Sequence, residues 1–318
     1  MPYLISSFKG NKYFANRHFE TIYPALFRKT SVAYKRERLE LNDGDFLDLD
    51  WKRNNHDKLL ILFHGLEGSS QSSYIKGFAE YFSNRGYDIC AVNFRSCSGE
   101  NNRLLSTYHG GKSVDVTHVL KHIEQQYHYG QYIMGGFSLG GNVLLKYLGE
   151  QAENINTKIK RAFAFSVPVD MVGCAITMSK TSNKVYMQRF LNSLNKKIVF
   201  KATQFPNQIN TDQIKHIKTF YEWDNAYTAK LNGFESAHEY YKQSSSLQFL
   251  PAITIPTLLV NAMNDPFLSE TCYPVDIAKQ SSYLFLETPP KGGHVGFALS
   301  HATGAYYSEK RAFEFVSA

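Results

Sequence analysis

"MGGFSLGGN", residues 134–142, sets one serine between pairs of glycines. Apolar residues lead in (Tyr132, Ile133, Met134) and a helical pattern follows (Val143, Leu144, Tyr147, Leu148). Gly136-Phe137-Ser138-Leu139-Gly140 therefore fits G-x-S-x-G placed between a strand and a helix. In that setting the chain turns so sharply that the serine backbone is strained and its hydroxyl is lifted clear of the sheet. The residues two before and two after the serine come too close for side chains, and glycine at Gly136 and Gly140 removes the collision. The helix that begins at Leu139 points unpaired N–H groups toward the same hydroxyl. The bare pentapeptide arises by chance in many chains, so its strand-turn-helix setting carries the weight.

Outward from this turn the sequence alternates between strands and helices. "RERLEL" and "FLDLDW" flank an Asp-Gly turn and read as a hairpin. "KLLILFHG" (58–65) and "YDICAVNF" (87–94) are continuous apolar runs, as expected of strands buried on both faces. Between them lies a helix with Ile75, Phe78, Ala79 and Phe82 on one face, closed by Gly86. Val116, Val119, Leu120 and Ile123 mark a second helix, and "RAFAFSVPV" (161–169) is a strand after the helix of the serine turn. The strand pattern then stops and resumes at "IPTLLVNAM" (255–263) and "SSYLFLE" (281–287); a last helix covers roughly 305–316. The expected fold class is α/β: a mostly parallel, twisted sheet with helices on both faces. Residues 1–318 form one domain. Residues 171–250 are a helical cap inserted between two sheet strands, at the end where such sheets bind ligands, and residues 1–36 are an N-terminal arm.

A serine hydroxyl is a weak nucleophile and needs a base, which itself needs orienting. Two histidines lie in the last quarter of the chain. His294, in "PPKGGHVGF", sits in a loop past the last strand and is the expected base; His301 is read as part of a solvated helix face. Asp265, in "NAMNDPF", follows the strand "TLLV" and is the first choice to orient the imidazole. Its rival is Asp170, at the end of "SVPVD". An oxyanion needs donors, often the largest single catalytic term. The backbone N–H groups of Leu139 and Leu66 are the candidates, with Gly65 letting the loop after "LLILF" turn toward the serine. His64 is expected to brace that loop.

The remaining signals are bland. His118 and His122 stand four apart on a helix but lack the glutamate of H-E-x-x-H and a third ligand, so they read as a polar face. "GLEGSS" has no lysine after its last glycine and is not a phosphate loop. Cys90, Cys97, Cys174 and Cys272 are scattered, which argues against a zinc site or a disulfide scaffold and suits a reducing compartment. The net charge is +7, yet no nucleic-acid motif accompanies it, and no nucleic-acid partner is expected. The start of the chain does not read as a signal peptide, and no run approaches the ~18 apolar residues of a spanning helix. A soluble cytoplasmic protein is expected. Basic-aromatic segments such as "ISSFKGNKYFANRHFETIYPALFRK" allow at most peripheral contact with lipid.

The chain resembles the α/β-hydrolase superfamily, in particular the branch holding YheT-type hydrolases, ABHD-type lipid hydrolases and fungal medium-chain alcohol acyltransferases. "NRHFETIYPALFRK", "LNDGDFLDLDW", "HGLEGSS", "VNFRSCSGENNR", "YHGG", "GGFSLGGN", "LLVNAMNDPFL" and "GGHVGF" carry the resemblance over nearly the whole length. It implies a carboxylic-ester hydrolase with a helical cap over an acyl pocket and a triad of Ser138, Asp265 and His294. The membrane anchor of the eukaryotic members is not expected here, since no apolar leader precedes residue 13. The expected function is hydrolysis of short- to medium-chain acyl esters, monoacylglycerols among them, through an acyl-enzyme. No metal or organic cofactor and no obligate protein partner are called for. The alternatives are acyl transfer to an alcohol and a catalytically silent binding protein. Because the base must be neutral, activity is expected to fall as pH drops through roughly 6 to 7.

Overall fold

The computed structural model describes residues 2–10, 14, 16–299 and 304–318. Among the described residues, nine strands form a single sheet: β1 (Tyr3–Leu4), β2 (Lys35–Glu40), β3 (Phe46–Lys52), β4 (Lys58–Phe63), β5 (Tyr87–Asn93), β6 (Gln131–Phe137), β7 (Ile159–Phe165), β8 (Thr257–Val260) and β9 (Leu284–Glu287). Their order is β1-β9-β8-β7-β6-β4-β5-β3-β2, parallel from β1 through β5, with the β2–β3 hairpin antiparallel at the far edge. The Asp43-Gly44 pair makes the hairpin turn, and Gly44 takes the positive φ of +87° that the turn requires.

Eleven α-helices are present among the described residues: α1 (Arg17–Phe27), α2 (Ser73–Ser83), α3 (Val114–Gln126), α4 (Leu139–Gln151), α5 (Met171–Met178), α6 (Lys184–Gln204), α7 (Phe220–Trp223), α8 (Ala229–Leu231), α9 (Ala237–Ser244), α10 (Val275–Gln280) and α11 (Tyr307–Ser317). A π turn, Asp224–Thr228, joins α7 to α8.

Successive strand residues face opposite sides of a sheet, so a continuous apolar run serves two cores at once. Leu59, Ile61 and Phe63 of β4 pack with Tyr132 and Met134 of β6 on one face. Leu60 and Leu62 pack with Ile133, Phe163 and Phe165 on the other. A third apolar cluster, built around Tyr186, Leu191, Ile198 and Trp223, lies within the helices between β7 and β8.

Two expectations are refined. β7 ends at Phe165 rather than at 169, because Ser166 adopts φ +54° and turns the chain out of the strand. The N-terminal arm is woven into the fold rather than laid over it. Tyr3–Leu4 adds a parallel edge strand beside β9, and α1 begins with the Asn16 side chain accepting the His18 N–H at 2.8 Å.

Candidate active site

Ser138 sits at the junction of β6 and α4 with φ +50° and ψ −123°, a strained conformation for a residue with a side chain. The flanking glycines make the strain possible. A Cβ on Gly136 would lie 2.6 Å from Gly141 Cα, and one on Gly140 would run into the carbonyl of His64. Gly65 passes close on the other side: a Cβ there would be 3.0 Å from the Ser138 Cβ.

His294 lies in the loop after β9. Its Nε2 is 2.9 Å from Ser138 Oγ, and its Nδ1 is 2.9 Å and 3.1 Å from the two carboxylate oxygens of Asp265. An ionised carboxylate only accepts, so Nδ1 carries the proton and Nε2 is left to receive the serine hydroxyl. Asp265 is buried, and its Oδ1 also accepts the Phe267 N–H at 2.9 Å. The Phe267 ring covers the imidazole, with centroids 4.2 Å apart. The rival Asp170 is engaged elsewhere: it caps α5 by accepting the Gly173 N–H and also accepts from the Thr271 hydroxyl. His301 lies outside the described residues.

Leu66 and Leu139 line the same cavity as Ser138 and His294. Among the described residues, neither backbone N–H meets a protein acceptor outside regular secondary structure, while neighbouring Gly65, Glu67 and Ser138 all do. His64 braces the loop, as expected. Its Nδ1–H donates to the Gly65 carbonyl at 2.7 Å and its Nε2 accepts the Phe94 N–H at 3.1 Å. That arrangement needs the neutral ring, and burial lowers the His64 pKa to about 4.

The sequence profile of the alpha/beta hydrolase fold matches residues 58–300. The chain belongs to the alpha/beta hydrolase fold family. YheT of Escherichia coli (strain K12), which carries the name of an esterase, is 35% identical over 89% of this hydrolase and 85% of its own chain. Phospholipase ABHD3 of Bos taurus is 29% identical, covering 86% of this hydrolase and 69% of itself. A monoacylglycerol lipase of Saccharomyces cerevisiae is 28% identical, covering 82% and 60%.

Several side chains that position these residues carry no local sequence signal. Thr21 Oγ1, on α1, accepts the His294 N–H at 3.0 Å. Glu20, buried beside it, accepts from the Asn264 side chain and from the Gly292 N–H at 3.2 Å. Ser166 Oγ accepts the Val295 N–H at 2.8 Å. Asn142 on α4 donates to the carbonyls of Gly110 and Ser244, each at 2.8 Å, and accepts the Ser246 N–H.

The cavity beneath the helices between β7 and β8 holds about 1160 Å³ of empty space, its open mouth included. Phe190, Leu194, Ile198, Trp223 and Tyr227 give it an apolar wall, and Ser138 and His294 line the same cavity. His118 and His122 stand apart from it: His122 Nε2 is 2.8 Å from Glu37. Among the described residues, no group of three or more His, Cys, Asp or Glu side chains is arranged to hold a metal. No described helix is long and apolar enough to cross a membrane.

Proposed function

We propose that this ester hydrolase cleaves short- to medium-chain acyl esters, monoacylglycerols among them, through an acyl-enzyme formed on Ser138. The observation that carries the reading is the unbroken relay from Ser138 Oγ to His294 Nε2 and from His294 Nδ1 to Asp265, opening into an apolar cavity. Ser138 attacks the ester carbonyl as His294 takes its proton. The tetrahedral oxyanion is held by the N–H groups of Leu66 and Leu139; removal of one such donor typically costs about 10²–10³ in kcat. His294 then gives the proton to the departing alcohol, and Asp265 stabilises the imidazolium without being protonated itself. Water, deprotonated by the same imidazole, releases the acid.

The helices from Met171 to Ala252 act as the cap over the acyl chain. The apolar wall they supply supports that reading, and the names of the bacterial and yeast relatives agree with the chemistry. The scattered cysteines, without a C-x-x-C pair, support a reducing, cytoplasmic setting.

A fluorophosphonate probe should label the native chain and fail on Ser138→Ala. A panel of p-nitrophenyl esters from two to sixteen acyl carbons should give turnover with a defined optimum of chain length. No labelling and no turnover of any ester would sink the reading in favour of a silent scaffold, whereas labelling without turnover would show an activated serine that does not hydrolyse these esters.

A further inference from the structure

The cavity wall is not uniformly apolar. Asp224 opens the π turn between α7 and α8 and lines the cavity with Thr228, Tyr240 and Tyr241. Its Oδ2 accepts the Tyr241 hydroxyl at 2.6 Å. An ionised carboxylate offers about four acceptor positions, and this one donor leaves the set incomplete. Among the described residues, no cation pairs with it. The two lysines on the cavity wall are committed elsewhere. Lys197 is held by Glu67, and Lys201 by Asn102 Oδ1 and the Leu104 carbonyl. His109, also on the wall, is kept neutral by burial. Burial pushes the Asp224 carboxyl up to about 6, as befits a part-buried carboxyl held by a hydroxyl and by no cation.

A carboxylate facing an apolar substrate cavity is costly unless the substrate completes its hydrogen bonds. A plain alkyl chain laid against Asp224 would strip it of water and return nothing. A π turn moves side chains off the regular helical register and often marks a functional position. We infer that Asp224 is a substrate-binding residue: the ester cleaved here carries a free hydroxyl away from the reacting carbonyl, and the Asp224 carboxylate accepts its hydrogen bond. This rests on the acyl-ester reading above and narrows it to hydroxylated esters. The hydroxyl sits either on the acyl chain or on the alcohol, as in a monoacylglycerol.

Two series of matched substrates test this on the full chain. In one, p-nitrophenyl esters of four- to twelve-carbon acids are compared with and without a terminal hydroxyl. In the other, 1-monoacylglycerols are compared with propyl esters of the same acids. The readout is the ratio of kcat/KM, hydroxylated over plain. In at least one series, at some chain length, the ratio is expected to exceed 3, and to fall at least fivefold in Asp224→Leu. Asp224→Asn keeps an acceptor for Tyr241 and should lower the ratio by a smaller factor, at least twofold; it serves as the deciding variant if the leucine form does not fold. A purely structural Asp224 would lower both members of a pair together and leave the ratio unmoved. A ratio of 3 or less throughout both series, or one that falls by less than these factors, overturns the inference while plain-ester turnover preserves the hydrolase reading. Absence of turnover on every ester overturns both.

Discussion

Lys197 of α6 reaches across to Glu67 with its Nζ 2.7 Å from Oε1, tying the helical insert to the loop that carries Leu66. Ser193 of the same helix bonds to the other carboxylate oxygen, and the Tyr108 hydroxyl donates to Oε1 at 2.6 Å. Glu67 itself sits at φ +54°. The insert is thereby coupled to the geometry of the proposed oxyanion donor one residue away. Lys197→Met is expected to lower kcat by about tenfold, because a loop that wanders offers its N–H less effectively. Steady-state kinetics on p-nitrophenyl esters checks it. An unchanged kcat would mean that the loop keeps its shape without the insert.

The contact between Thr21 and the His294 N–H makes a similar demand on α1. Thr21→Val keeps the shape but removes the acceptor and leaves a part-buried N–H without a partner, a loss of about 1–3 kcal/mol. Activity should fall several-fold, and Thr21→Ser should restore it. Equal behaviour of the valine and serine variants would remove Thr21 from the positioning of the base.

The two aspartates separate cleanly. Asp265→Asn should cost about 10⁴-fold in kcat, through loss of the tautomer that leaves Nε2 free. Asp170→Ala should retain turnover and lose about 1 kcal/mol of stability, the usual worth of a helix N-cap. The opposite pattern would make Asp170 the partner of the base.

Buried titratable groups set the response of stability to acid. His64 and His109 have pKa values lowered by burial to about 4 and about 3, from an ordinary 6.5. In each case the unfolded chain takes up a proton first as pH falls below 6.5. Their stabilisation is therefore complete above that pH and is lost on acidification. Asp224 has the opposite sign. Its carboxyl is raised from 3.8 to about 6, so its contribution is present at low pH and lost as pH rises across that interval. Thermal unfolding followed from pH 6.5 to 4 should show a shallower fall in Tm for His109→Phe and a steeper one for Asp224→Asn. A variant slope matching the native slope would rule out that residue as a contributor.

The order of strands and helices, the hairpin and the serine turn were legible because each is a local matter. Apolar runs, a period of 3.6 and an Asp-Gly pair act within a few residues of themselves. Gly136 and Gly140 could be read as obligatory because the turn they flank is tight in any chain that makes it. Glu20, Thr21, Ser166 and Asn142 gave no such signal. Their partners lie as far as 273 positions away, at His294 in the case of Thr21, and nothing near a threonine on a short helix announces a distant N–H.

The sequence by itself determined that a serine would be presented at the end of a buried parallel strand, with an imidazole and a carboxylate on later loops. It ranked Asp265 ahead of Asp170 without showing which of them meets His294, since each stands five residues past the end of an apolar strand, Phe165 and Val260 respectively. The tertiary structure alone decided which one meets His294. β8 lies directly beside β9 in the sheet, so the loops leaving them share one rim, whereas the chain leaving β7 turns at once into α5 and spends its aspartate on that helix's N-terminus.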